Sequence, residues 1–156
     1  MNTTTRSEYK FDDRAIRWAP FRGFEGLDYH VLAVDHARGH VDMLMRFAPN
    51  QNCVPHTHVG PTKTLVLEGE HRIYHPAAAG DARCTVRPAG TFAANDGDET
   101  HYEGGGPQGA IILLMMTAKD GAVYDILEAF DGAVERKIML DDFQRGLLRQ
   151  QANSAD

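Results

Sequence analysis

The chain is poor in cysteine: Cys53 and Cys84 are its only two in 156 residues, too few for the disulfide framework that holds small secreted domains together. It has no run of lysine or arginine, and a net charge of -6 with a pI near 5.7 argues against a phosphate-backbone partner. Long apolar stretches are missing as well. The longest, Ala110 to Met116, falls far short of the ~20 residues that span a bilayer, so no membrane segment is expected. The opening Met1-Asn2-Thr3-Thr4-Thr5 lacks the apolar core of a signal peptide. These absences lead to the expectation of a cytoplasmic protein whose partners are small molecules, with no nucleic acid and no membrane.

Helical periodicity is scarce too. From Leu27 onward the pattern is one of short strands, among them Tyr29 to Val34, Val41 to Phe47, Thr64 to Leu67, His71 to His75 and Ala110 to Thr117. Between them stand Asp35 to His40, Glu68-Gly69-Glu70, Ala79-Gly80-Asp81 and Asn95-Asp96-Gly97-Asp98, which carry the glycine and aspartate chemistry of tight turns. Gly104-Gly105-Gly106 reads as a loop. Many short strands without intervening helices predict an antiparallel sandwich or barrel. Only the tail differs: Asp141-Asp142 can cap a helix running to about Gln151, with Phe143, Leu147 and Leu148 on its apolar stripe. One domain is expected, with an N-terminal arm at 1–26, a barrel at 27–138 and a helix and tail at 139–156. Met1 to Arg14 read as polar chain draped over the surface.

What the sequence does hold is histidine, eight in all. Pro55-His56-Thr57-His58 puts two imidazoles on one face of a strand, because side chains alternate, and both can point toward one ion. Chance supplies such pairs easily, so the context decides. Asn50 through Gly69 resembles the first cupin motif, G-x5-H-x-H-x3-E-x6-G, and Gly90 through His101 resembles the second, G-x5-P-x-G-x2-H. His56, His58 and Gly69 match in the first, Gly90 and His101 in the second. Asn50 replaces a glycine, Asp96 and Asp98 replace the proline and glycine, and Thr62 stands where the family's metal-binding glutamate is expected.

The resemblance implies an all-β, single-domain cupin-type antiparallel β-barrel (a double-stranded β-helix or jelly roll) with a short C-terminal helix, and metal roles for His56, His58 and His101. Three neutral imidazoles without a carboxylate leave a divalent ion its full charge, which favours an anionic, bidentate oxygen ligand such as an enolate. From roughly Met43 to Ala129 the chain is similar to acetylacetone-cleaving dioxygenases, which bind Fe(II) through three histidines and cleave a β-diketone with O2. That likeness implies Fe(II) as cofactor and a small enolisable ketone as substrate. Zn(II), Mn(II) or Ni(II) in the same set suits a hydrolase, lyase or isomerase instead. A cupin domain of certain zinc-binding anti-sigma factors is similar over this stretch and implies a sensing alternative.

Four further residues are candidates for the substrate side. Thr64 shares the parity of Thr62, while Tyr74 and Asn95 align with charged positions that the dioxygenases place around the metal. Glu99 and Glu103 share the face of His101, where either can accept an imidazole hydrogen bond or act as a base, and Glu103 is the candidate partner in the pocket. The parity that sends Tyr74 inward sends His71 and His75 outward. Cys53, at an odd offset from His56, reads as buried structure on the opposite face, and Met43, Met45, Met115 and Met116 as core filler. The strand from Thr64 to Leu67 is apolar on both faces, so a homodimer is expected to cover one of them.

Overall fold

The computed structural model describes residues 10–77 and 82–154, so positions 1–9 of the arm and the Ala79-Gly80-Asp81 turn lie outside it. The chain forms strands β1 (Ala19–Pro20), β2 (Leu27–Asp35), β3 (His40–Phe47), β4 (His56–His58), β5 (Thr62–His75), β6 (Arg83–Pro88), β7 (Phe92–Asn95), β8 (Glu99–Thr117), β9 (Ala122–Leu127) and β10 (Val134–Met139), then helix α1 (Leu140–Ala152). All strand pairs are antiparallel, and the order β1-β2-β3-β8-β4-β9-β10, with β5 on β8 and β6 and β7 on β5, curls into a cupin-type half-barrel. No helix among the described residues is long and apolar enough to cross a membrane.

Strand β8 is the spine. Its first residues pair with β4, its middle with the far half of β5, and its last eight with both β3 and the near half of β5, from Ala110↔Phe47 to Thr117↔His40. Alternation then builds the core. Val41, Met43 and Met45 from β3 face Ile112, Leu114 and Met116 from β8, all at most 4% exposed. Three of the four methionines thus fill the core, while Met115 lies half-buried on the other face.

Gly104, Gly105 and Gly106 do not form the expected loop; they lie inside β8. The absence of side chains lets the segment leading to β4 press directly on the strand. Asn50 N donates to Gly106 O at 3.0 Å, and Gly105 N donates to Gln51 O at 3.1 Å. Thus Cys53 and His56 are delivered against β8 by backbone contacts that tolerate no Cβ.

The tail also differs in detail. The helix starts at Leu140, and Asp142 serves its first turn by accepting from Met139 N at 2.8 Å. Phe143 is buried, but Leu148 is 55% exposed and off the apolar stripe. The helix covers the barrel at β2, where Gln150 accepts from Val31 N at 2.8 Å and donates to Val31 O at 2.9 Å, standing in for a neighbouring strand. At the other end of the chain the arm is anchored: β1 pairs with β2, and Phe21 and Phe24 pack on the core.

A Cβ built at Gly104 would stand 2.3 Å from Gln51 O and 2.0 Å from Asn52 Oδ1. Gly104→Ala is therefore expected to cost about 1–3 kcal/mol, read as a lower midpoint in denaturant unfolding. An unchanged midpoint would mean that the segment before β4 is not held against β8.

Candidate metal centre

The register of β4 and β8 sets His56 opposite His101, and alternation turns His58 to the same face. All three are buried, at 5%, 1% and 4% exposure for His56, His58 and His101. Their Nε2 atoms converge: His56 to His58 is 3.3 Å and His58 to His101 is 3.0 Å. Nitrogens held by one ion at about 2.1 Å stand roughly 3.0–3.4 Å apart, so the spacing suits a divalent metal.

The other ring nitrogens explain why Nε2 is free for an ion. His56 Nδ1 donates to Val54 O at 3.0 Å, His101 Nδ1 to the Glu99 carboxylate at 3.1 Å, and His58 Nδ1 to Thr62 Oγ1 at 3.3 Å. The Thr62 hydroxyl in turn donates to Gly60 O at 3.3 Å, which leaves its oxygen as the acceptor. With the proton fixed on Nδ1 in each ring, the Nε2 lone pairs point at one another, a set that a cation relieves. Burial, with the charge of His101 added, lowers the His56 pKa to about 4, and burial with His56 and His101 lowers that of His58 well below its ordinary value. Both imidazoles are thus neutral and ready to bind. Glu99, held by His101 and His75 against the opposing effect of burial, is lowered to about 2.

A fourth donor enters from β8. Glu103 is 2% exposed, and its carboxylate oxygens lie 3.8 Å from His56 Nε2 and 3.6 Å from His101 Nε2. Together His56, His58, His101 and Glu103 bring their ligand atoms within 4.8 Å of one another. Burial alone would raise the Glu103 pKa, but the hydrogen bond from His71 Nε2 at 2.9 Å and the surrounding imidazoles outweigh it and hold it well below the carboxylate range. The carboxylate missing at Thr62 therefore returns two residues after His101. An ion here would not keep the full charge that three imidazoles alone would leave it.

His71 is the residue whose direction the alternation rule misplaces. Between Val66 and His71 the β5–β8 register shifts twice around Gly69, whose φ is 72°. The extra residues reverse the parity of β5: Thr62, Thr64 and Val66 face inward before the shift, His71 and Ile73 after it. Consequently His71 is buried, with Phe47 stacked on it at 5.8 Å, and His75 reaches Glu99 at 2.8 Å. Tyr74 is thrown to the outer face, where it stacks on Tyr102 at 4.5 Å. Asn95 does not meet the group either; its Oδ1 accepts from Gly97 N at 3.0 Å and ties the turn before β8. Thr64 is buried on the face of Thr62.

Cys53 also lies elsewhere than strand alternation predicts, because β4 begins only at His56. Its Sγ is 3.6 Å from His56 Nδ1, and burial, with Glu103 nearby, pushes the thiol pKa up so that it stays protonated. With His56 and Glu103 it borders a small apolar chamber that Phe21 and Phe24 from the arm also line.

Fold and site together define a cupin barrel with a buried His/Glu group able to hold a metal. The chain belongs to the ChrR cupin-like domain family, whose model matches residues 7–120. In structure it is similar to an RmlC-like cupin protein from Ralstonia eutropha, at 15% identity and a TM-score of 0.71, covering 91% of this chain and 85% of that one. It is also similar to an acetylacetone dioxygenase from Acinetobacter johnsonii, at 14% identity and a TM-score of 0.70, covering 93% of each chain. The polyketide cyclase RemF from Streptomyces resistomycificus matches at 21% identity and a TM-score of 0.56, over 71% of this chain and 80% of its own. No curated protein sequence matches the chain.

Thr62→Val keeps the shape but removes the acceptor for His58 Nδ1, and should weaken metal binding about 10- to 100-fold in a competition titration. Unchanged affinity would show that Thr62 does not orient His58. In metal-free protein, His56 stays neutral down to about 4, whereas unfolded histidine takes up its proton near 6.5. The unfolded state thus binds more protons in that window, so stability falls as pH drops through it, by about 1.4 kcal/mol per pH unit for each such histidine. Denaturant unfolding in chelator from pH 7 to 4.5 measures this, and a flat profile would contradict neutral, buried imidazoles.

Proposed function

We propose that this protein is a metal-dependent dioxygenase that binds a small enolisable β-diketone or related ketone and cleaves it with O2, iron being the metal. The observation that carries this reading is the exposure of His56 and Glu103, two members of the converging group, to an apolar chamber. The three-histidine motif shared with the acetylacetone-cleaving dioxygenases supports it, as does the fold shared with the Acinetobacter johnsonii enzyme. Fe(II), when bound, supplies the reactivity with O2 that no side chain has.

The chain's own residues account for the remainder. His56, His58 and His101 hold the ion through Nε2, and Val54, Thr62 and Glu99 fix the rings that present those nitrogens. Glu103 is oriented by His71 and held well below the carboxylate range, too weak a base for enolisation, so its part is to place a fixed negative charge beside the ion. The apolar walls exclude water from the anion formed, which strengthens every charge interaction around it.

One observation favours a second reading. If Glu103 ligates, the set of three imidazoles and one carboxylate is complete for a four-coordinate zinc, the arrangement of sites that keep no open position. The protein would then bind metal without turnover, as a sensing or structural cupin. Oxygen consumption by iron-loaded protein across a panel of β-dicarbonyl compounds separates the two. Uptake that requires both iron and His101 is expected; no uptake with any compound, alongside tightly retained zinc, would overturn the dioxygenase reading in favour of the second.

A further inference from the structure

Tyr124 is 3% exposed on β9 and sits across the strand pair from His58. Its ring meets two of the converging imidazoles edge-on, with centroids 5.4 Å from His56 and 4.9 Å from His58. The hydroxyl is buried and has no hydrogen-bond partner among the described residues. Buried hydroxyls are almost always bonded, so an orphan at a candidate centre asks for a ligand atom. The same side chain forms part of the wall of the chamber that His56 and Glu103 border, together with Phe21, Phe24 and Met45. It is the polar group there that is neither a candidate ligand nor already bonded. A phenol carries its proton at neutral pH, so the group it offers is a donor.

We propose that the Tyr124 hydroxyl donates a hydrogen bond to an oxygen of the bound carbonyl compound, whose apolar end lies against Phe21 and Phe24. The free space of the chamber is about 20 Å³, room for one methyl- or water-sized group, which restricts the substituent that enters it. Methyl ketones fit this limit and phenyl ketones do not. The assignment deepens the reading of the site as one for small enolisable carbonyl compounds and rests on it. Tyr124 is in this account a residue of substrate binding and selection, with no part in holding the metal.

Tyr124→Phe tests it, with Co(II)-loaded protein titrated against acetylacetone, dibenzoylmethane and acetate by visible absorption. The variant should bind Co(II) as the unmodified protein does and lose about tenfold in affinity for acetylacetone and for acetate. Dibenzoylmethane should bind neither protein. In metal-free, ligand-free protein the variant should melt about 2–4 °C higher, because a buried unpaired hydroxyl is removed; a structural hydroxyl would give the opposite sign. A lower melting temperature, equal affinities for both oxygen ligands, or no binding of either by the unmodified protein overturns the assignment. Binding of acetate but not acetylacetone, with the tenfold loss intact, retains Tyr124 as the donor and removes the β-diketone reading instead.

Discussion

The centre depends on a carboxylate that stays ionised where water does not reach. Moving a carboxylate out of water costs several kcal/mol, and fixed partners must offset that cost. Glu103 has them because β5 and β8 run side by side for much of their length, which sets His71 within hydrogen-bond reach, while His101 and His56 stand 3.6 and 3.8 Å from its oxygens. Taking away one member of such a buried pair typically costs about 3–5 kcal/mol, since the survivor remains charged and alone. The barrel and the centre are therefore one object in energetic terms: the pairing that closes the sheet also keeps the carboxylate charged.

Much of this was readable in the residues, and the limits of reading are physical. The hairpin of β2 and β3 follows from alternating apolar residues around a glycine turn, and the convergence of His56, His58 and His101 follows from two motifs whose spacing matches a known barrel. Alternation is a local rule, however, and it fails where the backbone gains residues. It sent His71 and Tyr74 to each other's faces because nothing in Glu68-Gly69-Glu70 announces a register shift rather than a plain turn. It misplaced Cys53 because the strand had not yet begun there. Gly104-Gly105-Gly106 read as a loop because glycine is usually a signal of turns; here it signals close approach of a second backbone. Asn95 matched by alignment to a polar position, yet its side chain serves its own turn.

The weight given to Thr62 also changes. A threonine in place of a glutamate suggests a centre without negative charge, but the threonine oxygen orients His58 while Glu103 brings the charge from the neighbouring strand. The donor set is thus shared between β4 and β8, with Thr62 of β5 orienting one ring, rather than diminished. The N-terminal arm takes on a similar role, since Phe21 and Phe24 pack on the core and line part of the chamber.

The shift around Gly69 makes the length of β5 a chemical variable. Removing one residue between Val66 and His71 exchanges the two faces of the far half of that strand, turning the imidazole toward solvent and bringing Arg72 into its place and Tyr74 into that of Ile73. A guanidinium in the imidazole's place carries a permanent positive charge, so the same barrel would surround the carboxylate with a different field. In proteins of this shape a one-residue insertion or deletion far from the histidine motif is therefore equivalent to a substitution at the metal, although an alignment records it as a gap in a turn.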